Sequence, residues 1–234
     1  MKIAIVKKIV VLTGAGISAE SGLKTFRDAN GLWEGHDVME VASPEGWHKN
    51  RTLVIDFYNQ RRRQLKEVQP NAAHHALVKL EDAFKVDIIT QNVDDLHERA
   101  GSSSVIHLHG ELLKARSTQD EHLVLDWHED IKEGDLCPKN SQLRPHIVWF
   151  GEMVPLLDTA AALTAQADYI LIVGTSMQVY PAASLINYAK PDAQIFFIDP
   201  KPNIRSTDFD NLTIIPKTAA IGIPELADQL KHRR

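Results

Sequence analysis

The chain has 234 residues, 44% hydrophobic and 24% charged, the composition of a folded globular protein rather than a disordered one. A formal charge of −5 argues against a general nucleic-acid binder, and a single cysteine, Cys137, excludes an intrachain disulfide framework. No run of about 18 apolar residues occurs, and the apolar part of residues 1–8 is too short for a signal peptide; a cytoplasmic protein with no membrane partner is expected.

The first predicted element is a buried strand over Lys8–Thr13, which empties into Gly14-Ala15-Gly16-Ile17-Ser18-Ala19. Closely spaced glycines between a strand and a helix let the backbone approach a pyrophosphate, and the helix N-terminus favours its negative charge. The spacing Gly14-x-Gly16-x-x-Ala19 fits the dinucleotide fingerprint, but the second strand that should follow within about 30 residues is missing. Residues 30–69 instead hold a loop with Trp33 and a helix over 52–68, with no strand. Further strands are expected at 86–89, 105–108, 146–150, 169–173, 194–198 and 212–215. Helices are expected at 71–84, capped by Asn71, and at 93–99, 156–167, 181–189 and 224–231. Near-continuous apolar strands alternating with helices specify an α/β fold: a Rossmann-like parallel sheet with helices on both faces. Residues 1–29, 70–112 and 145–234 form that body. The insertions 30–69 and 113–144 pair into a smaller domain.

Polar residues follow these strands: Gln91, Asn92 and Asp94 after the second, His109-Gly110 after the third, and Gly174-Thr175-Ser176 after residues 169–173. Ligands of open α/β sheets bind beyond the carboxyl ends of strands, so these groups belong to one crevice.

At this point the chain resembles the sirtuin family of NAD-dependent protein-lysine deacylases. The resemblance rests on residues 14–18, Thr25-Phe26-Arg27, Gly31-Leu32-Trp33, Thr90-Gln91-Asn92-Val93-Asp94, Leu108-His109-Gly110, residues 144–152 and Gly174-Thr175-Ser176, in family order. It implies NAD as cofactor, with the pyrophosphate on Gly14, Ala15, Gly16, Ile17 and Gly174–Ser176. Thr25, Phe26, Arg27, Trp33, Asp199 and Ala219 would complete the cofactor site. Gln91, Asn92 and Asp94 would line the inner pocket around nicotinamide and ribose. His109 would act as general base on a ribose hydroxyl with Asn92 as its catalytic companion, giving free lysine, nicotinamide and O-acyl-ADP-ribose. An imidazole with a pKa near 6.5 suits that task near neutral pH. Val148, Phe150, Gly151 and Glu152 would bind the acylated protein or peptide by β-augmentation. The enzyme is expected to be a monomer.

Tyr58 and Arg61 lie three apart on the predicted helix and share a face. A guanidinium grips a carboxylate bidentately, and a phenol adds a third hydrogen bond. This pair resembles the sirtuin subgroup that removes succinyl, malonyl and glutaryl groups; outside that context Arg61-Arg62-Arg63 reads as a solvated basic face. The subgroup keeps a small residue upstream, usually alanine, and by count Gly46 takes that place. The family's zinc, held by two Cys-x-x-Cys pairs, is not expected: Ser117-Thr118-Gln119-Asp120 and Cys137-Pro138-Lys139-Asn140 retain one thiol. Packing or polar contacts of the Asp120 type would then hold the module. The rival readings are an NAD-dependent dehydrogenase, a sirtuin-like protein ADP-ribosyltransferase and a silent NAD-binding module.

Overall fold

The computed structural model describes residues 6–24, 32–205 and 207–232. In chain order the strands are β1 (Lys8–Thr13), β2 (Leu32–Trp33), β3 (His36–Asp37), β4 (Lys85–Thr90), β5 (Val105–His107), β6 (Gly110–Ser117), β7 (Val124–Asp126), β8 (Leu143–Ile147), β9 (Tyr169–Val173), β10 (Gln194–Ile198) and β11 (Leu212–Ile215). The α-helices are α1 (Val38–Val41), α2 (Pro44–Lys49), α3 (Arg51–Glu67), α4 (Ala72–Leu80), α5 (Leu96–Ala100), α6 (Leu157–Thr164) and α7 (Ala219–His232).

Six strands form one parallel sheet in the order β11-β10-β9-β1-β4-β5. Its strands read as continuous apolar runs because both faces are buried. Along β1, Ile9 and Val11 pack with α4 and α7, while Val10 and Leu12 pack on the opposite side with α6 and the 3₁₀ segment Ala182–Tyr188. β9 and β10 divide their side chains the same way. The chain leaves β1 for β4 and β5 on one side, then returns to lay β9, β10 and β11 on the other. The order therefore reverses at β1, the topological switch point where such sheets open a crevice.

A three-stranded antiparallel sheet, β7-β6-β8, stands apart from the first and shares a separate apolar core with α2 and α3. Buried polar bonds reinforce it. Asn59 of α3 donates to the Ile131 carbonyl at 2.8 Å and accepts from the Ile131 N–H at 2.9 Å. Arg62, fully buried, donates to Asn59 Oδ1 at 2.7 Å and to the Leu112 carbonyl at 3.1 Å. Where the family's thiolates are expected, Ser117 and Ser141 hydroxyls lie 2.7 Å apart, Ser141 is 3.1 Å from Cys137 Sγ, and Lys139 pairs with Asp120 at 2.6 Å. Among the described residues no group of three or more His, Cys, Asp or Glu side chains is placed to hold a metal.

Several expectations need correction. The glycine loop enters a 3₁₀ turn, Ala15–Ile17, rather than an α-helix. Residues 30–69 do contain strand, the short β2–β3 hairpin, whose turn residues Glu34 (φ 52°) and Gly35 (φ 83°) have the left-handed conformation of a tight hairpin. The predicted strand 146–150 is displaced to β8 and pairs antiparallel with β6, so it lies outside the parallel sheet. Residues 181–189 wind as 3₁₀ rather than α-helix. α7 begins at Ala219, five residues before Pro224, so the proline lies inside the helix's second turn and forgoes the bond its N–H would make to the preceding turn. Asn71 caps α4 as expected, in a reciprocal capping box with His74.

Gly46 is buried in α2, where a Cβ would come within 2.2 Å of the Glu40 carbonyl oxygen. Alanine for a helical glycine ordinarily stabilises by up to about 1 kcal/mol. The expected sign here is reversed: Gly46→Ala lowers the urea midpoint, and a midpoint equal to or above the parent's contradicts this packing.

Candidate active site

The parallel register makes the strand ends level. Thr13 pairs with Thr90 on one side and Val173 on the other, and Thr90 pairs with His107. The loops after β1 and β9 touch across the switch point: Gly14 N–H donates to the Val173 carbonyl at 3.0 Å, and Gly16 N–H to the Gly174 carbonyl at 2.8 Å. A Cβ on Gly16 would lie 2.6 Å from Gly174 Cα, and Gly174 has φ +59°. Both glycines are therefore required by the approach of one loop to the other, whatever ligand rests on them.

A cleft of about 290 Å³ opens above these loops. Gly14, Ala15, Gly16, Gly174, Thr175 and Ser176 line one end, and Gln91, Asn92, Asp94 and His109 line the floor. Trp33, Tyr58 and Arg61 form a wall, and Val148, Phe150, Gly151 and Glu152 line the adjoining rim, joined to that wall by the Trp149–Tyr58 hydrogen bond. Thr25, Phe26 and Arg27 lie outside the described residues. Ile17 is fully buried beneath its loop. Asp199, 1% exposed, accepts from the Lys201 N–H at 2.9 Å and does not line the cleft; Ala219 is buried at the start of α7.

The floor is a hydrogen-bonded network centred on Ser18, which the sequence reading did not single out as a site residue. Asn92 Nδ2 donates to Ser18 Oγ at 3.1 Å, and Ser18 Oγ donates to Asp94 Oδ2 at 3.0 Å. Gln91 Nε2 donates to Thr175 Oγ1 at 3.2 Å, tying the ends of β4 and β9. Burial pushes the Asp94 carboxyl up to about 6, against hydrogen bonds from Ser18 and the Leu96 N–H that favour its charge.

His109 Nδ1 lies 3.0 Å from the Gln91 carbonyl. A carbonyl only accepts, so Nδ1 carries the proton, and in the neutral ring Nε2 keeps a lone pair. Burial lowers the pKa of His109, so it is neutral at physiological pH. The tautomer and charge are those of a general base. His107, two residues earlier, bonds the Asn92 carbonyl at 3.0 Å in the same manner, so two imidazoles brace consecutive carbonyls of the loop after β4.

In the wall, Tyr58 is fully buried and its hydroxyl accepts from Trp149 Nε1 at 3.1 Å. Arg61 lies over the Phe57 ring at 4.6 Å, and its Nε and Nη1 are buried with no hydrogen-bond partner among the described residues. Gly46 does not line the cleft; the small residue there is Ala42, four positions earlier, whose carbonyl accepts from the Phe150 N–H at 2.9 Å. At the rim, residues 148–150 are irregular rather than strand. Their N–H groups donate to the His109 carbonyl, the Glu152 carboxylate and the Ala42 carbonyl respectively. Glu152 is itself held by Arg144 at 2.7 Å and Arg116 at 2.9 Å, both largely buried.

A parallel sheet with paired glycine loops at its switch point, and a polar floor ending in a neutral imidazole, defines a Rossmann-like α/β protein of the dinucleotide class. The Sir2 family model matches residues 14–181. An NAD-dependent protein deacylase of Helicobacter pylori (strain ATCC 700392 / 26695) is 66% identical over 195 residues, 83% of this chain and 85% of that protein. An NAD-dependent protein deacylase of Bacteroides thetaiotaomicron is 50% identical over 230 residues, 96% of this chain and 98% of that one. A Sir2 homologue solved as an NAD complex is similar with TM-score 0.86 and 40% identity, covering 99% of this chain and 92% of that one. The chain belongs to the Sir2 family.

The raised pKa of Asp94 has a consequence for stability. Its folded form prefers the proton, so the favourable contribution is complete below pH 3.8 and is lost as pH rises through about 6. Asp94→Asn should therefore gain stability relative to the parent by about 3 kcal/mol between pH 3.5 and pH 7.5, read from urea denaturation. A difference independent of pH contradicts the burial of an ionisable carboxyl in this network.

Proposed function

We propose that this chain is an NAD-dependent protein-lysine deacylase whose cleft prefers acyl groups ending in a carboxylate (succinyl, malonyl and glutaryl) and also accepts acetyl. The preference is carried by Arg61. Its buried Nε and Nη1 lack hydrogen-bond partners among the described residues, and desolvation lowers its pKa, so the cation stands in a wall that leaves it undercompensated. A carboxylate satisfies the two nitrogens at once, in the bidentate geometry that makes arginine selective for it. Tyr58 adds a third bond. Its oxygen already accepts from Trp149, its O–H remains to donate, and burial raises its pKa so that the proton stays on. Ala42 leaves the space a longer acid needs.

The residues present suit NAD. The glycine loops and Gly174–Ser176 bring backbone close to the switch point, where they hold a pyrophosphate, and Gln91, Asn92 and Asp94 offer amide and carboxyl groups to a nicotinamide ribose. When bound, NAD supplies a ribose carbon made electrophilic by loss of nicotinamide. Asn92 and Asp94 are held rigid by Ser18 and orient the sugar. His109 Nε2 takes the proton from a ribose hydroxyl, while Nδ1–H stays on the Gln91 carbonyl and fixes the ring. The substrate backbone lies against residues 148–152, where the N–H groups of Val148 and Phe150 are already committed, leaving backbone carbonyls to accept from the peptide. A Sir2 structure bound to an acetylated peptide, 28% identical with TM-score 0.78 over 98% of this chain and 94% of that one, supports an acylated peptide as the substrate.

Arg61→Met is expected to lower kcat/KM on succinyl-lysine peptide about 10- to 100-fold, the loss of a charge-assisted bidentate pair, with deacetylation changed far less. Equal loss on both substrates refutes acid recognition. His109→Tyr is expected to abolish deacylation of every acyl peptide by mass spectrometry, and wild-type turnover by that variant would remove His109 from the role of base.

A further inference from the structure

Arg61 does not face an uncharged cleft. The β2–β3 hairpin turn carries Glu34 into the same cleft wall, where its side chain is 12% exposed. Lys24, on the segment leading away from the glycine loop, reaches back to Glu34 Oε2 at 3.0 Å and also lines the cleft. Glu34 is the carboxylate whose charge acts on the Arg61 guanidinium, yet no ion pair forms between them, and Arg61 Nε and Nη1 have no hydrogen-bond partner among the described residues. The cleft thus contains an internal carboxylate near the cation that the acyl carboxylate would occupy, partly neutralised by a lysine.

We infer that the Lys24–Glu34 pair sets how strongly the cleft discriminates acidic from neutral acyl groups, with Glu34 repelling an incoming acyl carboxylate and Lys24 offsetting that repulsion. This rests on the acid-recognition reading above and adds two specificity-determining residues to it. A carboxylate bound to Arg61 brings a second negative charge into a partly desolvated cleft beside Glu34, where screening by solvent is reduced. A neutral acetyl group meets no such term. The two substitutions must therefore move selectivity in opposite directions. Any effect of either residue on NAD binding is common to both substrates and cancels in their ratio.

The test measures the ratio of kcat/KM for succinyl-lysine and acetyl-lysine versions of one peptide, at saturating NAD and low ionic strength. Glu34→Gln is expected to raise the ratio about three- to fivefold, and Lys24→Met to lower it by a similar factor. In Lys24→Met/Glu34→Gln the two opposite effects should largely cancel and return the ratio toward the parent's, because each charge acts directly on the acyl carboxylate. A ratio unchanged in both single variants, or moved in the same direction by both, overturns the inference. If the wild-type protein shows no desuccinylation, or Arg61→Met leaves the ratio unchanged, the acid-recognition reading itself has failed. If Arg61→Met collapses the ratio while Glu34→Gln does not move it, only the role of the pair is lost.

Discussion

The site depends on the contact of two glycine loops at the point where the sheet order reverses. β1 has its nearest parallel partners far along the chain, β4 on one side and β9 on the other. The registers of those pairings bring Thr13, Thr90 and Val173 level, and the loops that follow can meet only if neither carries a Cβ at the crossing. Without that close approach the loop after β9 would stand off from the loop after β1, and the end of the cleft would open to water. Every other functional group is placed relative to this contact.

Burial then determines the chemistry of the floor. Desolvation keeps His109 neutral, and its bond to the Gln91 carbonyl selects the tautomer with a free Nε2. The same desolvation makes the Asp94 carboxylate costly, and Ser18 lowers the cost by donating to it while accepting from Asn92. Polar groups at low dielectric are fixed in place because leaving any of them unbonded would be expensive. The floor is rigid for that reason, and a rigid floor suits a reaction that depends on orientation.

Three consecutive arginines on α3 show how packing divides identical side chains. Arg61 turns to the cleft with two nitrogens that have no hydrogen-bond partner among the described residues. Arg62 is fully buried and bonds Asn59 and the Leu112 carbonyl, joining α3 to the second sheet. Arg63 is exposed beside Asp130 at 3.7 Å. Helical geometry separates the three by about 100° each, so they cannot share an environment. The module they brace contains one thiol among hydroxyls, and its side of the molecule is held by an apolar core, by Asn59 and Arg62, and by the Asp120–Lys139 pair.

The sequence alone determined the parallel strands, because a strand buried on both faces must be apolar throughout, and it determined the polar strand ends, because they depart from that rule. It also placed Tyr58 and Arg61 on one helical face, which follows from local periodicity. Tertiary structure decided what depends on distant backbone. The strand expected at 146–150 became β8 of a second sheet because its partner is β6, and alternation in one strand cannot name its partner. Gly46 was matched to the acyl space by counting, whereas the Glu40 carbonyl requires its glycine and Ala42 faces the cleft. Ser18 gives no separate signal inside a motif explained by its glycines; its bonds to Asn92 and Asp94 exist only in the folded chain. Local pattern fixes which residues form an element and which face they share; which side chains meet across a cleft is set by contacts between elements far apart in the chain, and a single sequence does not record those distances.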